Sequence, residues 1–348
     1  MVILNETPRR TSKSFGINNI EIEDFKIHEI KEFTNIIVKS KVKIKSIPTA
    51  FEPKFSIGRD LVKQLNATNQ NYIIDIDEKI ETPIVLEFNL DKNQNVLVDN
   101  VAIFAKENSK ASIVLKYNTS EENIKAFHNG LCQVFAENGS SIKVIILNLL
   151  NNNSQNYYSM NNTIGESANL EYVIADFGGN KTISNYYSNL EGERANNQIN
   201  TMYLGTDEQL LDLNYISEVH GEKGNIDIEV YGALKDNAKK NFKGTIDFKK
   251  GCKKAKGNEN EYCMLLSKTA KSKALPMLLC SEEDVQGNHS NSAGKIDEAK
   301  LYYIMTRGIS KEDAQKLIVK AKFNSILAKI EDDEICKELI EEIDRRLK

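Results

Sequence analysis

Apolar and polar residues alternate in short runs from about residue 72 to residue 285. Tyr72-Ile-Ile-Asp-Ile-Asp77, Ile84-Val-Leu-Glu-Phe88, Val96-Leu-Val98, Ile113-Val-Leu-Lys-Tyr117 and Ile142-Lys-Val-Ile-Ile-Leu147 come first. Leu170-Glu-Tyr-Val-Ile174, Ile199-Asn-Thr-Met-Tyr203, Ile226-Asp-Ile-Glu-Val230 and Gly244-Thr-Ile-Asp-Phe248 follow. Short, β-branched and close to period two, they predict strands. The one partial helical trace among them is Ser120 to Phe127. A turn motif recurs in step with the runs: a glutamate and small polar residues, then a strand. Its lead residues Glu107, Glu137, Glu166, Glu193 and Glu222 lie 30, 29, 27 and 29 residues apart. A period near thirty predicts stacked rungs, each burying its apolar face on the next, and so a β-helix. A β-sandwich is the alternative, since it also shows short strands with regular turns.

The two ends differ from this middle. Residues 1–75 read as a mixed α/β cap: an extended lead-in over Arg9 to Phe25, a strand over Ile36 to Ile47 and a short helical piece at Gly58 to Leu65. Residues 76–288 form the expected β-helix core and 289–348 a helical domain. In that tail Ile296, Leu301 and Ile304 form an apolar stripe, and Gly308 sits where a glycine ends a helix. Ser310-Lys-Glu-Asp313 is a variant capping box opening a second helix. Glu331-Asp-Asp333 marks a break before a third, which carries Ile335, Leu339, Ile340, Ile343 and Leu347. Helices this short must pack on the β body or on another protein.

Composition narrows the function. Scarce proline with abundant Ile and Asn suits strands joined by Asn/Gly turns. A formal net charge of −4 gives no reason to expect nucleic acid or an anionic membrane as partner. No apolar run approaches the ~20 residues that span a bilayer, and the N-terminus lacks a secretory layout, so a cytoplasmic location is expected. The cysteines, Cys132, Cys252, Cys263, Cys280 and Cys336, include no C-x-x-C pair, which excludes a zinc knuckle and a ferredoxin-type ligand run. Cys132, in the run Leu131 to Phe135, reads as core, and Cys336 as structural; Cys252, Cys263 and Cys280 precede His289 and are the thiols to watch.

No phosphate-binding loop, dinucleotide fingerprint, nucleophile elbow or H-E-x-x-H pair is present, so a self-contained enzyme is not expected. Of the histidines, His28, His128 and His220 read as surface or hydrogen-bonded side chains. His289 stands apart, in a polar turn between Asn288 and Ser290-Asn291, where a neutral imidazole suits iron near neutral pH.

The stretch around it carries a resemblance. Glu283-Asp284-Val285-Gln286-Gly287-Asn288-His289-Ser290-Asn291-Ser292-Ala293-Gly294-Lys295-Ile296-Asp297, then Arg307-Gly308-Ile309, resembles the signature of the SufB/SufD family of SUF iron–sulfur cluster assembly scaffolds. The SufD form of that signature runs acidic-Asp-Val-x-Cys-x-His-Gly-Ala-Thr-x-Gly. His289 matches its histidine, Gly287 stands where it has cysteine, and Ser-Asn-Ser replaces Gly-Ala-Thr. The stretch Lys268 to Ala274 lacks the scaffold cysteine expected of SufB, so the SufD type is favoured. The resemblance implies a right-handed parallel β-helix with a C-terminal helical domain, and a non-catalytic subunit that pairs with SufB through the β-helix. It implies that the helical tail binds the SufC ATPase, with Tyr302, Tyr303, Arg307, Gly308, Ile309 and Ser310 as the docking residues. It further implies that His289 offers a ligand to an iron–sulfur cluster held transiently at the SufB interface, not bound stably by the isolated chain. Alternatives are a SufB-like homodimeric scaffold acting with SufC alone, a β-helical carbohydrate-active enzyme, and an adaptor in which His289 has no ligand role.

Overall fold

A computed structural model describes residues 2–11, 13–23, 29–46 and 68–348. The helical piece expected at Gly58 to Leu65, and His28, lie outside the described residues.

The chain winds into a parallel β-solenoid of about eight turns, as the thirty-residue period predicts. Each turn contributes one strand to each of two facing sheets. The first sheet holds β5 (Gln70–Ile76), β7 (Val96–Ala105), β9 (Phe127–Ala136), β11 (Gln155–Ile164), β13 (Lys181–Leu190), β15 (Leu210–Val219), β17 (Lys239–Phe248) and β19 (Lys271–Cys280). The second holds β6 (Ile84–Leu90), β8 (Lys110–Thr119), β10 (Ser141–Leu149), β12 (Asn169–Asp176), β14 (Asn196–Gly205), β16 (Asn225–Leu234), β18 (Ala255–Leu265) and β20 (Val285–Lys295). The segment read as one strand from Ile36 to Ile47 is two: β3 (Ile36–Lys39) caps the second sheet antiparallel to β6, and β4 (Ile44–Ser46) caps the first antiparallel to β5. Ser120 to Phe127 forms no helix; it is a turn leading into β9.

The turns explain the repeated glutamates. In the turns after Glu107, Glu166, Glu193 and Glu222, the next residue (Asn108, Ser167, Arg194 or Lys223) has positive φ, the conformation that reverses the chain in a tight turn. Successive turns stack: Ser167 N donates to Glu193 O, Arg194 N to Glu222 O and Lys223 N to Lys253 O, each at 2.8 Å.

Inward-pointing side chains such as Ile113, Val144, Tyr172, Ile199, Ile228 and Phe242 fill the lumen. The outer faces of the two sheets differ. The second sheet turns Ile145, Val173, Met202 and Ala233 outward, and the C-terminal helices cover them. Strands buried on both faces read as near-continuous apolar runs, which is why they dominate the sequence pattern. The helices are α1 (Glu298–Met305), α2 (Lys311–Leu327) and α3 (Asp333–Arg346). Ser310 caps α2, its Oγ accepting from Asp313 N at 3.1 Å, and Gly308 at φ +83° closes the segment after α1. Phe323 stacks on Phe177 with centroids 6.1 Å apart. The buried Arg346 ties the end of α3 to the solenoid, donating to Leu150 O at 2.7 Å and Asn152 Oδ1 at 2.6 Å. The first sheet turns polar residues outward, and the N-terminal segment lies over part of them. There β1 (Val2–Leu4) pairs antiparallel with β2 (Ile20–Ile22), and Asn5, at φ +52°, donates to Ser184 O, Asp212 O and Asp212 Oδ1. Beneath it Lys243 and Asp212 form a fully buried ion pair.

Candidate functional site

His289 does not lie in a turn. The segment expected as a polar loop continues the solenoid as its last strand, β20, paired in parallel with β18 so that His289 sits on Glu259, Gly287 on Gly257, Asn291 on Glu261 and Ala293 on Cys263. Gly, Asn and Ser give a poor strand signal in sequence; here the ladder of the preceding rung imposes the conformation. Because β19 and β20 are the terminal strands of their sheets, this rung leaves one row of backbone groups in each sheet without a neighbouring strand among the described residues. Most side chains of β20 are exposed, His289 among them.

In-register partners in a parallel pair share a face, so His289 and Asn291 stand at the mouth of the lumen. One rung further in lies a buried polar group that the sequence reading missed. Glu261 Oε1 accepts from Lys240 Nζ at 2.6 Å and from Tyr203 OH at 3.0 Å. Glu259, wholly buried, has no hydrogen bond of normal geometry to either carboxyl oxygen. Burial pushes its carboxyl up to about 8; the amide of Asn291 and the charge of Lys240 oppose the shift, and Glu261 adds to it. The signal was present in sequence: Glu259 precedes His289 by one repeat, and one repeat is one rung.

Gly287, standing in the family cysteine's place, also faces the lumen, where a Cβ would meet Leu278 Cδ1 and Phe248 Cε2 at 3.2 Å each. Apolar side chains fill that corner. Of the thiols, Cys263 lies one rung in and Cys280 ends β19, exposed. Cys132 is deep in the lumen beside Tyr172 OH, and burial pushes it up to about 12. Cys252, in the turn before β18, is pushed to about 11, chiefly by burial. Such thiols stay protonated, and the thiolate is the metal-binding form. Among the described residues, no group of three or more His, Cys, Asp or Glu is arranged to hold a metal ion. His220 is a surface residue beside Glu218, whereas His128 is buried in the lumen.

The residues expected to dock a partner, Tyr302 to Ser310, sit on and just after α1. None of that helix's residues is buried; Tyr302 is 70% exposed and Tyr303 59%. Arg307 lies over the Tyr303 ring at 4.9 Å, and Ile309 adds apolar surface to the same stretch.

Comparison with known proteins decides what this solenoid is. Residues 88–322 match the family described as SUF system FeS cluster assembly, SufBD core domain. The chain belongs to the SufBD family. It is similar to the iron–sulfur cluster assembly protein SufD of Bacillus subtilis, 26% identical over 273 residues, covering 78% of this chain and 62% of that protein. A SufBD family protein of Pyrococcus horikoshii is 23% identical over 259 residues, covering 72% of this chain and 56% of its own length. One of Staphylococcus saprophyticus is 21% identical over 242 residues, covering 69% and 52%. The chain thus spans between half and two thirds of the length of these SufBD relatives. The matched region runs from β6 into α2 and contains both the open rung and α1. No helix among the described residues is long and apolar enough to cross a membrane.

Proposed function

We propose that the chain is a SufD-like scaffold subunit of iron–sulfur cluster assembly, working without catalysis of its own. It pairs through its open last rung with a SufB-type chain, and binds a SufC-type ATPase through Tyr302, Tyr303, Arg307, Gly308, Ile309 and Ser310. At the joint, His289 gives an imidazole to the iron of the cluster under assembly. The observation that carries this reading is the unpaired rung with a histidine on its lumen face. An exposed strand edge is a template for another strand, and the joint would bring a second chain's ligands to a site that offers too few of its own. A cluster held there is transient cargo. The family membership leaves the carbohydrate-active alternative without support.

The test is co-expression with SufB- and SufC-type partners under anaerobic conditions, followed by size measurement and iron and sulfide determination. A complex containing all three chains, with cluster lost in His289→Ala, is the expected result. A stable assembly of this chain with SufC alone, carrying cluster, would replace the reading with the homodimeric one. Cluster undiminished in His289→Ala would remove His289 from the site.

A further inference from the structure

We propose that Glu259 is the positioning residue for His289: its carboxyl hydrogen-bonds one imidazole nitrogen from below and leaves the other facing the mouth of the lumen. The inference rests on the reading of His289 given above and adds a residue to that site.

Three observations place Glu259 in this role. His289 is its direct register partner on the next strand out, on the same face, and neighbouring strands lie only about 4.8 Å apart. Glu259 extends across the lumen until it is stopped by the opposite wall, where Gly244 makes room for it: a Cβ on that glycine would come within 2.4 Å of Glu259 Cδ and 2.6 Å of both oxygens. The carboxyl is therefore held in place by packing, while the local cation, Lys240, is engaged with Glu261. Lastly, neither oxygen of Glu259 has a hydrogen bond of normal geometry, although the side chain is wholly buried. A buried polar group left in that condition costs stability, so a packing role alone gives no reason for an acid here. The imidazole above it is exposed, and in this role its side chain turns inward so that the ring meets the carboxyl. Histidines that bind metals usually have their second ring nitrogen fixed by a carboxylate or carbonyl, which sets the tautomer and the ring's aim. Asn291, in register with Glu261, is the other polar side chain at this level; its amide lies near enough to the Glu259 carboxyl to favour the ionised form and is the competitor of the imidazole for it.

The chain has four histidines, so nitrogen NMR of histidine-labelled full-length protein, with His289→Ala as the assignment control, reads the imidazole directly. In wild type and in Glu259→Gln, whose amide still hydrogen-bonds, one neutral tautomer of His289 should dominate. In Glu259→Leu the tautomer ratio should revert to that of a free imidazole, and cluster yield in the co-expressed complex should fall several-fold while Glu259→Gln keeps most of it. An identical tautomer ratio in wild type and Glu259→Leu overturns the proposal. Glu259→Ala serves as the second apolar variant should leucine not fit against Gly244. The two readings fail separately: full cluster yield in His289→Ala refutes the ligand role, and the tautomer measurement alone decides the positioning role.

Discussion

His128 Nε2 lies 2.8 Å from Asp99 Oδ1 inside the lumen, with both side chains fully buried. The other ring nitrogen is 2.6 Å from Asn156 Oδ1, and Tyr117 OH donates to the second oxygen of Asp99 at 3.1 Å. The sequence marks His128 only as a surface or hydrogen-bonded side chain; it is hydrogen-bonded, and is the centre of a polar layer crossing the solenoid's interior.

Removing that ring should be costly. His128→Leu leaves Asp99 with Tyr117 alone and Asn156 Oδ1 without its ring partner in a closed interior, and a buried polar group left unsatisfied costs about 1–3 kcal/mol. Urea denaturation at neutral pH measures it. A loss below about 1 kcal/mol would show that the lumen rearranges to satisfy both groups.

Asp176 gives the chain a defined pH response. Its side chain lines a water-sized cavity of about 10 Å³ together with His128, Asn148 and Ser184; one of its oxygens has no hydrogen bond, and burial pushes its carboxyl from 3.8 up to about 6. A carboxyl raised by folding favours the native state only while protonated, so its cost is absent below about pH 4. The cost grows as pH rises towards 6 and stays constant above that, reaching about 3 kcal/mol. Asp176→Asn should therefore be more stable than wild type at pH 7.5, with the difference shrinking towards pH 4. Thermal unfolding across that range checks the sign; a gap independent of pH would mean that the carboxyl does not titrate differently on folding.

His289→Ala should cost no more than about 1.5 kcal/mol of stability by thermal unfolding, because the side chain is exposed and gives up at most the single hydrogen bond proposed to Glu259. Paired with a loss of cluster in the assembled complex, this separates a site defect from a folding defect.

Tyr302→Ala with Tyr303→Ala should weaken SufC binding at least tenfold without shifting the melting temperature. Both rings stand clear of the core, and aromatic side chains are frequent energetic anchors at interfaces. Calorimetric titration with the ATPase reads the first effect; unchanged affinity would move the dock elsewhere on the helical tail.

Arg346→Ala tests how the helical tail is fastened. Losing the bonds to Leu150 O and Asn152 Oδ1 leaves a buried carbonyl unpaired and α3 untied from the solenoid, at a cost of about 1–3 kcal/mol. Hydrogen exchange should quicken in α3 before it does in the rungs.

How much could be read in advance follows from where each face points. Ile142 to Leu147 and Leu170 to Ile174 were legible because apolar side chains fill the lumen on one side and meet the helices on the other. Their counterparts across the lumen, such as Gln155–Ile164 and Lys181–Leu190, carry Asn161, Asn162, Asn185 and Ser188 in buried positions. Such residues signal turns in an isolated sequence, and only the stacking of like rung on like rung holds them in strands. The same physics hid β20 and made His289 look like a loop residue. Glu259 escaped because its importance lies in register, which no local pattern displays; counting back one repeat from His289 would have found it.

The unfinished last rung also bears on how much of this chain a cell can hold. Among the described residues the short antiparallel strands β3 and β4 end the two sheets on one side, whereas the full-length parallel strands β19 and β20 end them on the other, and long edges of that kind let copies meet one another edge to edge. If a second scaffold chain covers that edge as proposed, any surplus of this chain over its partner is lost to self-association, and balanced synthesis of the two becomes a condition of solubility for this one.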